Sequence, residues 1–145
     1  MAEDVILGPV SLLAGTPEVL TLVGLDVRGR PRVHAEEMPK GFAKEHPRYT
    51  VLLKSIPMGG DPGGMLELET PGLEVLCFGE TFQQAKLLSR KCHAVLKNAE
   101  RGVHNGILIH WFNLITSAQP LRDAEAGWPL VREVWQYMAS ENPIV

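Results

Sequence analysis

Apolar and polar residues alternate most regularly between Leu73 and Phe78, in the middle of the chain. Alternate residues of an extended strand lie on the same face, so this spacing places Leu73, Val75 and Cys77 together on one face. An alternating segment of this length is typical of a β-strand that packs one face on a core. The pattern therefore predicts a strand over Leu73–Phe78.

A helical period follows this strand after a short Gly-Glu-Thr turn. Thr81 and Gln84 have the T-x-x-Q spacing of a capping box, which places the start of the helix at Phe82. Glycine suits a C-terminal cap, so the helix is expected to end near Arg101–Gly102. His93 is expected on the solvent side. The predicted buried stripe consists of apolar residues three or four positions apart: Ala85, Leu88, Cys92, Val95 and Ala99.

Four other segments have the composition of strands. Arg32–Met38 is short and mixed, which indicates an edge strand, whereas Arg48–Ile56 is bounded by prolines and has apolar residues on both faces. Ile107–Thr116 is the most apolar segment, and its centre is expected to be covered on both sides. Leu130–Ala139 alternates again and is predicted to be the last strand.

Two short helices are predicted before the first strand. Pro9–Leu13 has the composition of one or two helical turns, and Thr16 and Pro17 form an N-cap and first-turn proline for a helix through Val23. Together the patterns predict one α+β domain over residues 1–145. Its sheet is expected to be mainly antiparallel, with a long helix packed on one face and short N-terminal helices.

The cysteines and tryptophans are predicted to belong to the interior. Cys77 and Cys92 lie among hydrophobic neighbours, which indicates buried free thiols in a reducing compartment. Trp111 lies in a predicted strand, as does Trp135, and Trp128 occupies a Gly-Trp-Pro corner. All three tryptophans are expected in the core.

A projecting loop is predicted over residues 57–72, because glycine and proline leave little there that can pack. No lysine and hydroxyl follow at the spacing of a nucleotide-binding loop, so a contact with a neighbouring chain is the favoured interpretation. The predicted subunit or partner contact comprises Met58, Gly59, Gly60, Asp61, Pro62, Gly63, Gly64 and Met65.

Charge and hydropathy restrict the class of partner. The chain has 14 Lys and Arg against 17 Asp and Glu among 145 residues, a net charge of −3. Binding to duplex DNA needs a concentrated excess of positive charge, so a DNA-binding module is not expected. The apolar run Val5–Leu13 contains Gly8 and Pro9 and is too short to span a bilayer. Neither a signal peptide nor a membrane anchor is expected.

Candidate chemistry is sparse. The five histidines have no compact metal-ligand spacing and neither cysteine lies in a C-x-x-C motif, so no metal site and no cofactor are predicted. No catalytic residue is predicted either. The alternative from another class is a small α+β enzyme or ligand-binding protein with a cleft near His110 and Glu74.

The order and spacing of these elements resemble a known family. The resemblance covers most of Arg32–Ala139 and is found in three places: Tyr49–Leu53, the segment Val75–Thr81 that leads into the predicted helix, and the polar corner before Trp128–Val131. In these respects the chain is similar to the tail terminator, or tail completion, proteins of long-tailed bacteriophages, and to related neck and minor tail proteins.

The resemblance implies a non-enzymatic virion subunit, made in the host cytoplasm and placed at the interface of head and tail. It implies a homo-oligomeric ring, a hexamer, that ends polymerisation of the tail tube protein and joins the tail to the head connector. DNA would pass through the ring without sequence-specific binding. A head–tail connector, a neck protein or another minor tail protein of related fold is the alternative within the same class.

Overall fold

The structure is a computed structural model, and it describes residues 5–26, 28–40, 49–56 and 70–141. Within these residues the helices are α1 (Leu7–Ala14), α2 (Pro17–Val23) and α3 (Phe82–Lys97). The strands are β1 (Val33–Ala35), β2 (Thr50–Ile56), β3 (Gly72–Phe78), β4 (Gly102–His104), β5 (Ile107–Arg122) and β6 (Pro129–Glu141).

The six strands form one sheet in the order β1-β2-β3-β6-β5-β4. β1 runs parallel to β2, with Val33 opposite Val51, and the other neighbouring strands are antiparallel. The predicted α+β class is confirmed. The antiparallel expectation fits only in part because of the β1–β2 pair, and the predicted edge strand shortens to three residues.

β3 lies in the interior of the sheet, between β2 and β6. Leu73, Val75 and Cys77 are all buried on the face that carries the helices, as the alternation predicts. The turn after β3 brings the backbone against the next helix. A Cβ on Gly79 would lie 2.7 Å from the Cβ of Gln84, closer than real Cβ atoms approach, so this position requires glycine.

The capping box at the start of α3 is confirmed. Thr81 Oγ1 accepts a hydrogen bond from the backbone N–H of Gln84 at 3.2 Å, and Gln84 Oε1 accepts one from the N–H of Glu80 at 2.9 Å. The helix has 16 residues and ends at Lys97, before the predicted end near Arg101–Gly102. It ends earlier because Gly102 already belongs to β4.

The buried stripe of α3 differs slightly from the prediction. Leu96 and Ser89 are buried, whereas Val95 is half-buried and packs against the edge of the core. The stripe covers β3, β5 and β6. Its fully buried members are Ala85, Leu88, Ser89, Cys92 and Leu96.

The two faces of the sheet carry cores of different size. The larger core lies between the sheet and the helices, and it includes Trp135. A smaller core lies on the opposite face, which we call the outer face, and is formed by Leu52, Phe78, Trp128 and Leu130. Two of the three tryptophans are therefore in the interior, as predicted.

α1 and α2 pack on the same face as α3, because Val5, Leu13 and Val19 belong to the larger core. Thr16 precedes α2 but its side chain does not cap that helix. Its hydroxyl instead donates to the backbone carbonyl of Leu12 at 2.8 Å, so it closes α1. Within the described residues no helix combines the length and the hydropathy needed to cross a membrane.

Candidate functional site

β5 is the longest strand, and most of one side of it has no neighbour among the described residues. It has 16 residues, Ile107–Arg122, whereas the sequence predicted an end at Thr116. β6 pairs along its whole length, but β4 pairs only with Ile107–Ile109. Residues His110–Arg122, which we call the β5 edge, therefore present unpaired backbone groups over roughly 40 Å at about 3.3 Å per residue.

A β-bulge changes the face to which β5 side chains point. Ile109 pairs with Ala139 but Trp111 pairs with Met138, so His110 is an extra residue in the strand. An extra residue reverses the alternation beyond it, since side chains repeat every two residues. Phe112 and Leu114 consequently pack against the larger core, together with their partners on β6.

The predicted faces of β5 are therefore wrong beyond the bulge. Uninterrupted alternation from Ile107 would place Trp111 and Ile115 on the same face as Ile107 and Ile109, and the centre of the strand was expected to be covered on both sides. Instead, Trp111 is 37% exposed and Ile115 is 47% exposed on the outer face. Trp111 is accordingly the tryptophan that does not belong to the core.

Four exposed apolar side chains lie on the outer face of β4 and β5. Val103 pairs with Leu108, which lies between the buried Ile107 and Ile109 and so points outward. Leu121 pairs with Leu130 of the outer core. With exposed fractions of 37–49%, they form what we call the outer apolar strip: Val103, Trp111, Ile115 and Leu121.

The β5 edge also lacks the charges that usually protect an open strand. No Lys, Arg, Asp or Glu occurs from Ile107 to Leu121. Monomeric proteins protect such edges with charges, bulges or prolines, because an open apolar edge pairs with other chains. Here the protection consists of the bulges and of Pro120, near the far end of the strand. The β5 edge and the outer apolar strip thus have the features of a surface that is covered in an assembly.

A polar cluster lies on the other face, below α3. Glu133 is 4% exposed, and its carboxylate accepts a hydrogen bond from His93 Nδ1 at 2.9 Å. It also accepts one from Trp135 Nε1 at 3.1 Å. His93 was expected on the solvent side, but it points to β6 because a buried carboxylate needs hydrogen-bond donors.

The two cysteines are buried and free, as predicted for the thiols themselves. A hydrogen bond with Cys92, together with complete burial, raises the pKa of the Cys77 thiol well above its usual range. A thiol that stays protonated is a poor nucleophile. This pair therefore acts as part of the core.

His110 and Glu74, near which the alternative cleft was expected, do not come together in the described structure. Glu74 makes an ion pair with Arg132 across β3 and β6, opposite Val134. His110 Nδ1 accepts a hydrogen bond from Arg101 Nε at 3.2 Å, at the bulge in β5. The two residues lie on strands that β6 separates, several positions apart in register.

In the described part of the chain, no three His, Cys, Asp or Glu side chains converge on a point where they could hold a metal ion.

The predicted contact Met58–Met65 lies outside the described residues and stays a prediction. Of the predicted loop over residues 57–72, the structure describes only the last three residues, and β3 begins at Gly72.

Comparison with solved structures finds a chain of similar fold. One virion chain folds in the same way. It belongs to the structure of the virion of a native gene transfer agent (GTA) particle, and it matches with a TM-score of 0.61 over 92% of both chains. The sequence identity is 16%, so the likeness is one of fold. No protein-family model matches the chain, and no curated protein matches it.

Proposed function

We propose that this protein is a non-enzymatic structural subunit of a phage or phage-like virion. The observation on which the proposal depends is the β5 edge with its outer apolar strip. An open, uncharged strand edge beside exposed Trp111 and Ile115 is a liability in a free monomer and an advantage in an assembly.

The likeness of fold supports the same proposal. It extends over 92% of this chain and of a chain in a gene transfer agent virion, so it includes the sheet and the helices together. A fold alone does not determine function. The surface described above supplies the independent argument, because it is suited to contacts between chains.

The finer proposal is that the subunit acts as a tail terminator. Copies would form a closed ring, a hexamer, through heterologous contacts in which one surface meets a different surface of the next copy. The ring would end growth of the tail tube protein, bind the head connector or neck protein, and let DNA pass through. A net charge of −3 suits such a passage, because the chain as a whole would not retain DNA.

The virion, at the interface of head and tail, is the proposed location, after synthesis in the host cytoplasm. The Met58–Met65 segment is proposed to contact a neighbouring subunit or the tube. A connector, neck or other minor tail subunit is the second candidate, since the arguments from the β5 edge and from the fold apply equally to it.

Assembly of the purified full chain tests the proposal. We expect analytical ultracentrifugation to show a ring-sized species, alone or with tail tubes, and electron microscopy to show that species at tube ends. Ile115→Lys places a charge in the outer apolar strip and is expected to reduce assembly at least tenfold. Leu25→Lys is the matched control, because Leu25 is 57% exposed and lies outside β4 and β5.

Circular dichroism of both variants verifies that they fold. A wild-type chain that remains monomeric with and without tubes would contradict the proposal, as would an equal effect of both substitutions. Growth of open filaments would instead favour a tube subunit over a terminator, because a terminator ends polymerisation.

A further inference from the structure

A cavity of about 360 Å³ lies between α3 and the second half of β5, on the face of the sheet opposite the outer apolar strip. Its α3 wall carries Lys86, Ser89 and Arg90, and its β5 wall carries Ala118 and Pro120. The volume is within the range of pockets that bind small ligands or single side chains.

The α3 wall of the cavity is cationic. Lys86, Arg90 and His93 are spaced i, i+4 and i+7, which places them within about 60° of one another around the helix axis. Neither Lys86 nor Arg90 has a hydrogen bond or an ion pair with any described residue. Two positive side chains therefore line the cavity without an ion-pair partner among the described residues.

All the Lys, Arg, Asp and Glu residues of α3 have the same sign. Phe82–Lys97 contains Lys86, Arg90, Lys91 and Lys97 and no Asp or Glu, in a chain whose net charge is −3. Lys91 lies about 140° around the helix from Lys86, so it points away from the cavity. The helix thus offers one cation that can serve as a control.

The floor of the cavity is apolar except for one satisfied carboxylate. Val131 is 1% exposed and lies beside Glu133, whose two oxygens accept hydrogen bonds from His93 and Trp135. Because these donors occupy Glu133, the unpaired charges of the cavity are those of Lys86 and Arg90. A ligand that fits has an apolar body and a single anionic group.

We infer that this cavity binds a carboxylate joined to an apolar group, either a free carboxylic acid or a residue of a partner polypeptide. The carboxylate lies between Lys86 and Arg90, and the apolar group lies against Ala118, Pro120 and Val131. Ala118 and Pro120 belong to the β5 edge, but the cavity includes no side chain of the outer apolar strip, so Ile115→Lys tests the proposed assembly role without altering a residue that lines the cavity.

NMR titration of the isotope-labelled full chain tests the inference. The first probe is 4-phenylbutyrate, and its uncharged control is 4-phenylbutanol. We expect saturable shifts of the Ser89 and Val131 backbone amides with the carboxylate, and binding at least about fivefold weaker with the alcohol, because a charge-assisted hydrogen bond is lost. Inorganic phosphate, which has no apolar body, is expected to bind at least about fivefold more weakly too.

A second carboxylate probe separates the two sources. An acetylated tripeptide that ends in phenylalanine presents the same carboxylate and ring on a peptide backbone. Tighter binding of the peptide identifies a polypeptide ligand, and tighter binding of 4-phenylbutyrate identifies a free acid. Either result supports the site.

Substitutions establish which side chains carry the binding. Arg90→Gln is expected to weaken 4-phenylbutyrate binding about tenfold, and Ala118→Leu is expected to abolish it by filling the cavity without a change of charge. Lys91→Gln removes the same charge from the far side of α3 and is expected to change the affinity less than twofold.

Three results would overturn the inference: no saturable shift with either carboxylate, equal affinity for the alcohol, or equal loss in the Lys91 and Arg90 variants. The last measurement is a competition between 4-phenylbutyrate and a short DNA duplex. If the duplex displaces the probe and Lys91→Gln weakens the duplex as much as Arg90→Gln does, the helix is a diffuse polyanion surface and the carboxylate site is rejected.

Discussion

β3 and β5 belong to the same sheet but have opposite environments. β3 has a neighbour on each side, and Leu73, Val75 and Cys77 are almost completely inaccessible beneath the helices. β5 is more than twice as long, yet the β5 edge has no strand neighbour among the described residues, and Trp111 and Ile115 are exposed.

The difference separates two uses of apolar side chains. On β3 they are removed from water when the chain folds, and their burial contributes to the stability of the monomer. On the outer face of β5 they are exposed in the described structure, and in the proposed assembly a neighbouring chain would bury them. Stability and assembly should therefore respond to different substitutions.

The largest expected effect compares equivalent truncations in the two strands. Leu73→Ala deletes a side chain with no exposed surface and is expected to lower the free energy of unfolding by about 3 kcal/mol. Ile115→Ala, at an exposed position, is expected to change it by less than about 1 kcal/mol. Urea unfolding at low protein concentration measures both. Equal losses would break the distinction between the strands.

A smaller effect is expected at Glu133, on the strand that joins β3 to β5. Glu133→Ala leaves the donors of His93 and Trp135 without an acceptor in a buried place and is expected to cost about 2 kcal/mol. Glu133→Gln keeps an oxygen for Trp135 and should cost less. Thermal unfolding distinguishes the two variants, and a neutral alanine variant would show that water satisfies these donors.

The N-terminal cap stabilises α3, which packs on β3. Thr81→Ala removes the hydroxyl that accepts from the Gln84 N–H and is expected to lower stability by about 1 kcal/mol. Thr81→Ser restores the acceptor and serves as the control. Chemical unfolding of the three proteins gives the difference, and an equal loss in the serine variant would assign the effect to the lost methyl group instead.

The smallest effect concerns pH. The raised pKa of Cys77 keeps its thiol protonated in the folded chain, whereas an unfolded thiol loses its proton near pH 8.5. Stability is therefore fully present below that pH and is lost as the pH rises from the unfolded towards the folded value, by about 0.8 kcal/mol at pH 9 for one thiol. Urea unfolding between pH 7 and 9 measures it. Cys77→Ala should show a flatter dependence, and an unchanged slope would contradict the assignment.

Local signals made the β3–α3 unit predictable from the sequence. The alternation before Phe78 and the T-x-x-Q spacing act within a few residues, and the structure follows both. The hairpin of β4 and β5 had an equally local signal that was missed. Asn105 and Gly106 both have positive φ, 53° and 77°, as the tight turn between two antiparallel strands requires.

Other features depend on contacts between distant residues. The bulge at His110 shifts the register against β6, and nothing in the run from Ile107 to Thr116 marks the residue at which the alternation reverses. The parallel pairing of β1 is likewise set by tertiary packing. The cavity below α3 joins Lys86 and Arg90 to Ala118, which follows them by about thirty positions, so sequence spacing gave no indication of it.

Gly79 has a consequence for how this sequence can vary. Its N–H donates to the carbonyl of Pro129 at 3.2 Å, while its α-carbon faces the first turn of α3 so closely that a methyl group would collide with the backbone nitrogen of Ala85 at 2.8 Å. The absence of a side chain at position 79 therefore allows this close approach between the turn after β3 and the first turn of α3. Any larger residue at position 79 would force the turn after β3 or the first turn of α3 to shift, whereas most exposed positions tolerate substitution.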